Sequence, residues 1–84
     1  MTEIMGYIAA FLTTASFLPQ AFKTLKTRDT SGISLLMYLM FVVGVGLWLI
    51  YGILIGNLII TFANLITFIL AGMILLVKIK NLKL

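Results

Sequence analysis

The sequence contains no cysteine and no histidine, only two acidic residues and a single proline. Without cysteine there is no disulfide and no thiolate metal site. Without histidine, the commonest metal ligand and near-neutral acid–base group is missing as well. Neither metal chemistry nor nucleophilic catalysis is expected, no cofactor is implied, and the chain does not read as an enzyme. Polar surface is equally scarce. With 63% apolar and 10% charged residues and a mean hydropathy of +1.27, these 84 residues cannot clothe a soluble domain, and they read as an integral membrane protein in contact with lipid. The net charge of +4 does not indicate nucleic acid, because the cations form two short clusters beside apolar segments with no aromatic residues interleaved.

What the chain does have is an uncharged run from Ile33 to Val77. As one helix it would reach roughly 67 Å, against a hydrocarbon core of about 30 Å, so it must fold back on itself. The one good place to turn is Gly56-Asn57. Together with the apolar segment that precedes it, this gives an all-α domain over residues 1–84 with three membrane helices, roughly 4–22, 34–55 and 58–77. Ser31 or Ser34 can cap the second helix. A cleaved leader is a poor account of the first segment, since Thr2-Glu3 supplies no basic start and no A-x-A-like cleavage site follows.

The six basic residues are Lys23, Lys26 and Arg28 after the first span and Lys78, Lys80 and Lys83 after the third. Three spans place both clusters on one side. The positive-inside rule then puts the C-terminus in the cytoplasm and the N-terminus outside.

Each helix carries small or polar residues at three- and four-residue spacing. The first reads Gly6, Ala10, Thr13, Ser16, Gln20; the second Phe41, Gly44, Trp48, Tyr51; the third Asn57, Thr61, Asn64, Phe68. Such stripes mark faces turned away from lipid, either for helix packing or for a water-filled path. Gly52 and Gly56 also match the small-xxx-small packing pattern. Trp48 and Asn64 stand out because each is seven or eight residues from the turn, roughly 10–12 Å deep, too far in for an interfacial belt and costly for an amide facing lipid. An indole face beside an amide suits a polar ring-shaped solute such as a sugar, and a buried packing contact is the other reading. Pro19 interrupts the first helix and implies a hinge, with Gln20 placed to bond the backbone groups that proline frees. No acid lies within the spans, so proton- or sodium-coupled transport lacks its usual group.

Thr13-Thr14-Ala15-Ser16-Phe17-Leu18-Pro19-Gln20 resembles the proline-glutamine signature of PQ-loop proteins. With Thr30-Ser31-Gly32-Ile33-Ser34, Trp48-Leu49-Ile50-Tyr51-Gly52 and Ala63-Asn64, the whole chain resembles the SemiSWEETs, bacterial half-sized relatives of the SWEET sugar transporters. The resemblance implies a bundle whose third helix packs between the first and second. It implies that two bundles form a parallel homodimer around one path, and that mono- or disaccharides cross by facilitated diffusion through alternating access. It also implies sugar contacts at Trp48 and Asn64 and a hinge at Pro19. Some members carry charged residues at the outer gate. Here those positions are Ile55 and Asn57, so an outer gate rests on Tyr51, Asn57 and packing. Met37, Met40 and Phe41 are candidates for an inner gate. The alternatives are an accessory or assembly subunit with no transport of its own, a PQ-loop transporter of a non-sugar solute such as a proton-coupled amino-acid exporter, and a lytic pore. The last is disfavoured because amphipathic helices with charged faces are missing.

Overall fold

A computed structural model describes residues 2–82; Lys83, assigned above to the second basic cluster, lies outside them. The three helices are α1 (Thr2–Thr27), α2 (Leu35–Ile55) and α3 (Leu58–Asn81), each long and apolar enough to cross a membrane. The first and third run further towards the basic end than apolarity alone predicts. The ends of long helices can pass beyond the hydrocarbon because lysine stems carry the charge outward to water.

The helix ends are built from the residues that local chemistry favours. α1 closes on Arg28, which takes the left-handed region at φ 59° and returns its N–H to the Thr24 carbonyl at 2.7 Å. Of the two candidate serines, Ser34 caps α2, accepting from the Met37 N–H at 3.3 Å. Ser31 instead donates its N–H and hydroxyl to Asp29 at 3.1 and 2.8 Å. Those two bonds, the backbone one first, hold the Asp29 carboxyl below the usual carboxylate range. Gly56 ends α2 in the left-handed region at φ 70°, which glycine reaches without steric cost, and Asn57 N–H bonds back to Gly52 at 2.9 Å. Asn57 then caps α3 by accepting from Ile60 N–H at 3.0 Å. A two-residue turn thus satisfies the backbone groups where an open chain would be costly.

α3 packs against both other helices, whereas α1 and α2 make no close backbone approach among the described residues. This is the order that the resemblance implies. Two contacts explain how tightly α3 sits. At the turn end, Gly52 lies so near Thr61 that a Cβ there would come within 2.9 Å of its backbone nitrogen. At the basic end, where α1 and α3 also pack, Ala21 and Thr24 of α1 and Ala71, Ile74 and Val77 of α3 are all buried. Below these residues the α1–α2 loop is tied down. Lys78 Nζ donates to the Thr30 carbonyl at 3.1 Å, and Asn81 Nδ2 donates to Arg28 O and Thr30 Oγ1 at 2.9 and 2.8 Å. Thr30 is buried by these contacts, so the loop is a fixed part of the bundle. Most large apolar side chains elsewhere are exposed, as expected where lipid is the solvent.

Candidate functional site

Because α3 holds α1 and α2 apart, a cavity of ≈ 600 Å³ opens between the three helices. α1 contributes Thr13, Ser16, Phe17 and Gln20; α2 contributes Phe41, Val45 and Trp48; α3 contributes Asn64 and Thr67. Periodicity accounts for each set, since three- and four-residue steps keep side chains on one helical face. The walls differ in chemistry. α2 and Phe17 supply aromatic and aliphatic surface, with the Phe17 and Phe41 rings 6.2 Å apart across the gap. The remaining α1 and α3 residues supply hydroxyls and amides. No acid or base lines this space.

The contrast with the groove on the other side of α1 is instructive. That space, ≈ 490 Å³ between α1 and α3, is lined almost wholly by apolar side chains such as Tyr7, Phe11, Leu18 and Phe62. Of these two spaces, the first is far richer in partners for a polar solute.

Trp48 and Asn64, expected to share a level, line the same cavity. Asn64 Nδ2 donates to the Ile60 carbonyl at 2.8 Å, which fixes the amide plane and leaves its oxygen and second N–H free. Trp48 also meets Tyr51 edge to face, with centroids 5.6 Å apart, and the two line an adjoining space of ≈ 380 Å³ nearer the turn with Gly44 and Leu47. Tyr51 itself does not line the cavity and touches it only through Trp48. Asn57 does not line it, and its side-chain oxygen is committed to the α3 cap. Of the three proposed inner-gate residues, Phe41 lines the cavity, while Met37 and Met40 are exposed and do not.

Pro19 lies within α1, whose helix continues through it to Thr27. Gln20 was expected to bond the backbone groups that Pro19 frees, and here it does not. Its amide has no hydrogen bond among the described residues, and the side chain faces the cavity. The geometry gives the reason. The carbonyl orphaned by Pro19 belongs to Ala15, which lines the outer groove, about 140° round the helix from Gln20 at 100° per residue. Phe68, placed in the polar stripe by spacing, is instead a packing residue set against Gly46, where a Cβ would come within 3.0 Å of its ring. Thr67 takes the cavity position. It sits three residues after Asn64, and that spacing could have found it. Phe17 and Val45 carried no polar signal to mark them.

Fold and cavity together define a three-helix membrane protein with a solute-sized, uncharged cleft. The family described as PQ loop repeat matches residues 1–61. The sugar transporter SemiSWEET of Leptospira biflexa is 48% identical over 81 residues, covering 96% of this chain and 95% of that protein. The Escherichia coli protein of the same name is 44% identical, over 93% and 88% of the two chains. A crystal structure of a SemiSWEET in the inward-open conformation superposes with a TM-score of 0.88 at 43% identity, covering 96% of this chain and 89% of that one. A bacterial homologue of SWEET transporters gives 0.78 at 38% identity, over 94% and 95%. The chain belongs to the SemiSWEET family of PQ-loop proteins.

Proposed function

We propose that the protein is a passive carrier of mono- or disaccharides, working by alternating access as a parallel homodimer in the bacterial cytoplasmic membrane. The observation that carries this reading is one cavity that joins the Trp48 indole to the Asn64 amide and contains no ionisable group. C–H faces of a sugar ring stack on the indole and its hydroxyls bond the amide, while no carboxylate is present to bring a proton or sodium ion along. A second copy closes the cavity on the side where α1 and α2 stand apart, and each path then holds the residues of two protomers. The names of the two bacterial relatives above support sugar as the solute.

The test is counter-flow of labelled glucose, galactose, mannose, sucrose and maltose in proteoliposomes made from the purified protein. At least one sugar should exchange, and an imposed proton or sodium gradient should leave its final distribution unchanged. No exchange of any sugar, or accumulation that collapses with the gradient, would overturn the reading.

Orientation follows from the basic residues gathered at one end. With no native cysteine, single cysteines at Thr2, Leu58 and Leu82 report it directly. An impermeant thiol reagent applied to whole cells should label the first two and spare the third; the reverse pattern would invert the topology.

Pro19 serves as the pivot of exchange. Pro19→Ala restores a backbone donor to Ala15 and straightens α1, so transport should slow by about ten-fold or more while sugar affinity changes little. Equal loss of rate and affinity would make Pro19 a shaper of the site instead.

A further inference from the structure

The hydroxyls of the cavity have already spent their hydrogens. Thr13 Oγ1 donates to the Ala9 carbonyl at 3.0 Å, Ser16 Oγ to the Thr13 carbonyl at 2.9 Å, and Thr67 Oγ1 to the Ala63 carbonyl at 3.0 Å. Asn64 has spent one of its two N–H groups on Ile60. This is the usual resort of a polar side chain in an apolar medium, where an unbonded donor is costly and the nearest acceptor is the carbonyl one turn back. It leaves oxygen lone pairs facing the cavity. Accepting a bond from a solute then costs these hydroxyls nothing, whereas donating one requires breaking an existing bond. The free donors reduce to the Gln20 amide, the second N–H of Asn64 and the Trp48 indole N–H.

We infer that the α1–α3 wall is an acceptor surface that selects its solute by the hydroxyl hydrogens it donates, with Thr13, Ser16 and Thr67 as specificity-determining residues beside Trp48 and Asn64. The inference rests on the sugar-carrier reading. It goes further in saying which half of a sugar hydroxyl Thr13, Ser16 and Thr67 recognise, the hydrogen and not the lone pairs. The aromatic wall on α2 sets the ring face, and the opposite wall draws hydroxyl hydrogens towards it. A solute that presents acceptors without donors, such as a permethylated sugar, finds no partner in these three hydroxyls and is left with the Gln20 amide and the second N–H of Asn64.

Deoxy and deoxyfluoro derivatives of the best-carried sugar of the counter-flow panel test this. Replacing a hydroxyl by hydrogen removes donor and acceptor together, whereas replacing it by fluorine removes the donor and keeps a weak acceptor. At each ring position where the deoxy sugar competes about ten-fold more weakly than the parent, the deoxyfluoro sugar should be weakened within about two-fold of it. A triple variant, Thr13→Val with Ser16→Ala and Thr67→Val, keeps the shape but removes the hydroxyl acceptors. In it the gap between parent and deoxy sugars should shrink to about three-fold or less.

Three results would overturn the inference: deoxyfluoro sugars that compete as well as the parent, deoxy sugars that lose nothing at any position, or a triple variant that weakens all competitors alike and keeps the gap. Failure of all five sugars to exchange is a different result, which removes the sugar reading and this inference with it.

Discussion

Trp48→Ala should abolish detectable exchange or reduce it by well over ten-fold, with protein level and helicity unchanged. The indole lines the cavity and is half exposed, so its removal takes away the stacking face without opening a void in the packed layers. Aromatic stacking is worth about 0.5–1.5 kcal/mol beyond area burial, and the lost apolar contact adds to it. Since about 1.4 kcal/mol corresponds to ten-fold, the two together take affinity down by one to two decades. Asn64→Ala should act alike through lost hydrogen bonds, each worth about 1 kcal/mol net. The helix should tolerate it, because the Ile60 carbonyl bonded by the amide can keep its ordinary backbone partner one turn on. Uptake measured beside thermal stability in detergent separates the cases. Normal transport by both variants would reduce the two residues to packing.

Gly52→Ala should produce the largest loss of stability of any single methyl added to the chain. A Cβ at this position would stand 2.8 Å from Ile60 Cγ2 and 2.9 Å from both the backbone nitrogen and Oγ1 of Thr61. Ile60 can yield, but Thr61 N lies in the first turns of α3 and its hydroxyl is bonded to the Asn57 carbonyl at 2.7 Å, so the helices themselves must part. Overpacking of this kind costs about 1–3 kcal/mol. Gly72→Ala is the matched control. Nothing lies within 4 Å of its Cβ position, and alanine favours the helix by about 1 kcal/mol over glycine. A lower melting temperature for the first variant with an unchanged or higher one for the second is the expected pattern. Equal melting temperatures would show that the α2–α3 contact can slide.

Gly52 and Gly56 also mark how far the sequence could be read. Composition and the length of the uncharged run were enough for three spanning helices and a turn at Gly56-Asn57, because the bilayer leaves the backbone so few options. The pattern Gly52-xxx-Gly56 suggested a helix interface, yet its two glycines do different work. Gly52 admits α3, while Gly56 bends the chain at positive φ with open space around it. A motif of small residues does not distinguish these uses; only the path of the neighbouring helix does.

Trp48 and Asn64 were legible as a pair because depth in a bilayer can be counted in residues. Phe17 and Val45 were not, because an apolar residue facing a cleft looks the same in sequence as one facing lipid. Gln20 was misjudged for a related reason. Adjacency along the chain suggested that it serves Pro19, whereas the helical turn directs it to the opposite face from the carbonyl that Pro19 leaves free.

The placement of α3 between the other two helices also sets the order in which the chain can assemble as it is made. α1 enters the membrane first and is the least apolar of the three by hydropathy, yet α2, which follows it, offers it no packed face. Until α3 arrives, Thr13, Ser16 and Gln20 stand in lipid with no protein wall opposite. When α3 does arrive, the tight Gly56-Asn57 turn lays it on α2 at once, and α3 then offers α1 the only packed face it has among the described residues. Lys78 and Asn81 are the last described residues to emerge that bond the Arg28–Thr30 loop, and they reach back about fifty residues to do so. Emergence of the end of α3 is thus also the step that seals the α1–α2 connection. A ribosome that stops short of α3 leaves two helices that have no reason to stay together.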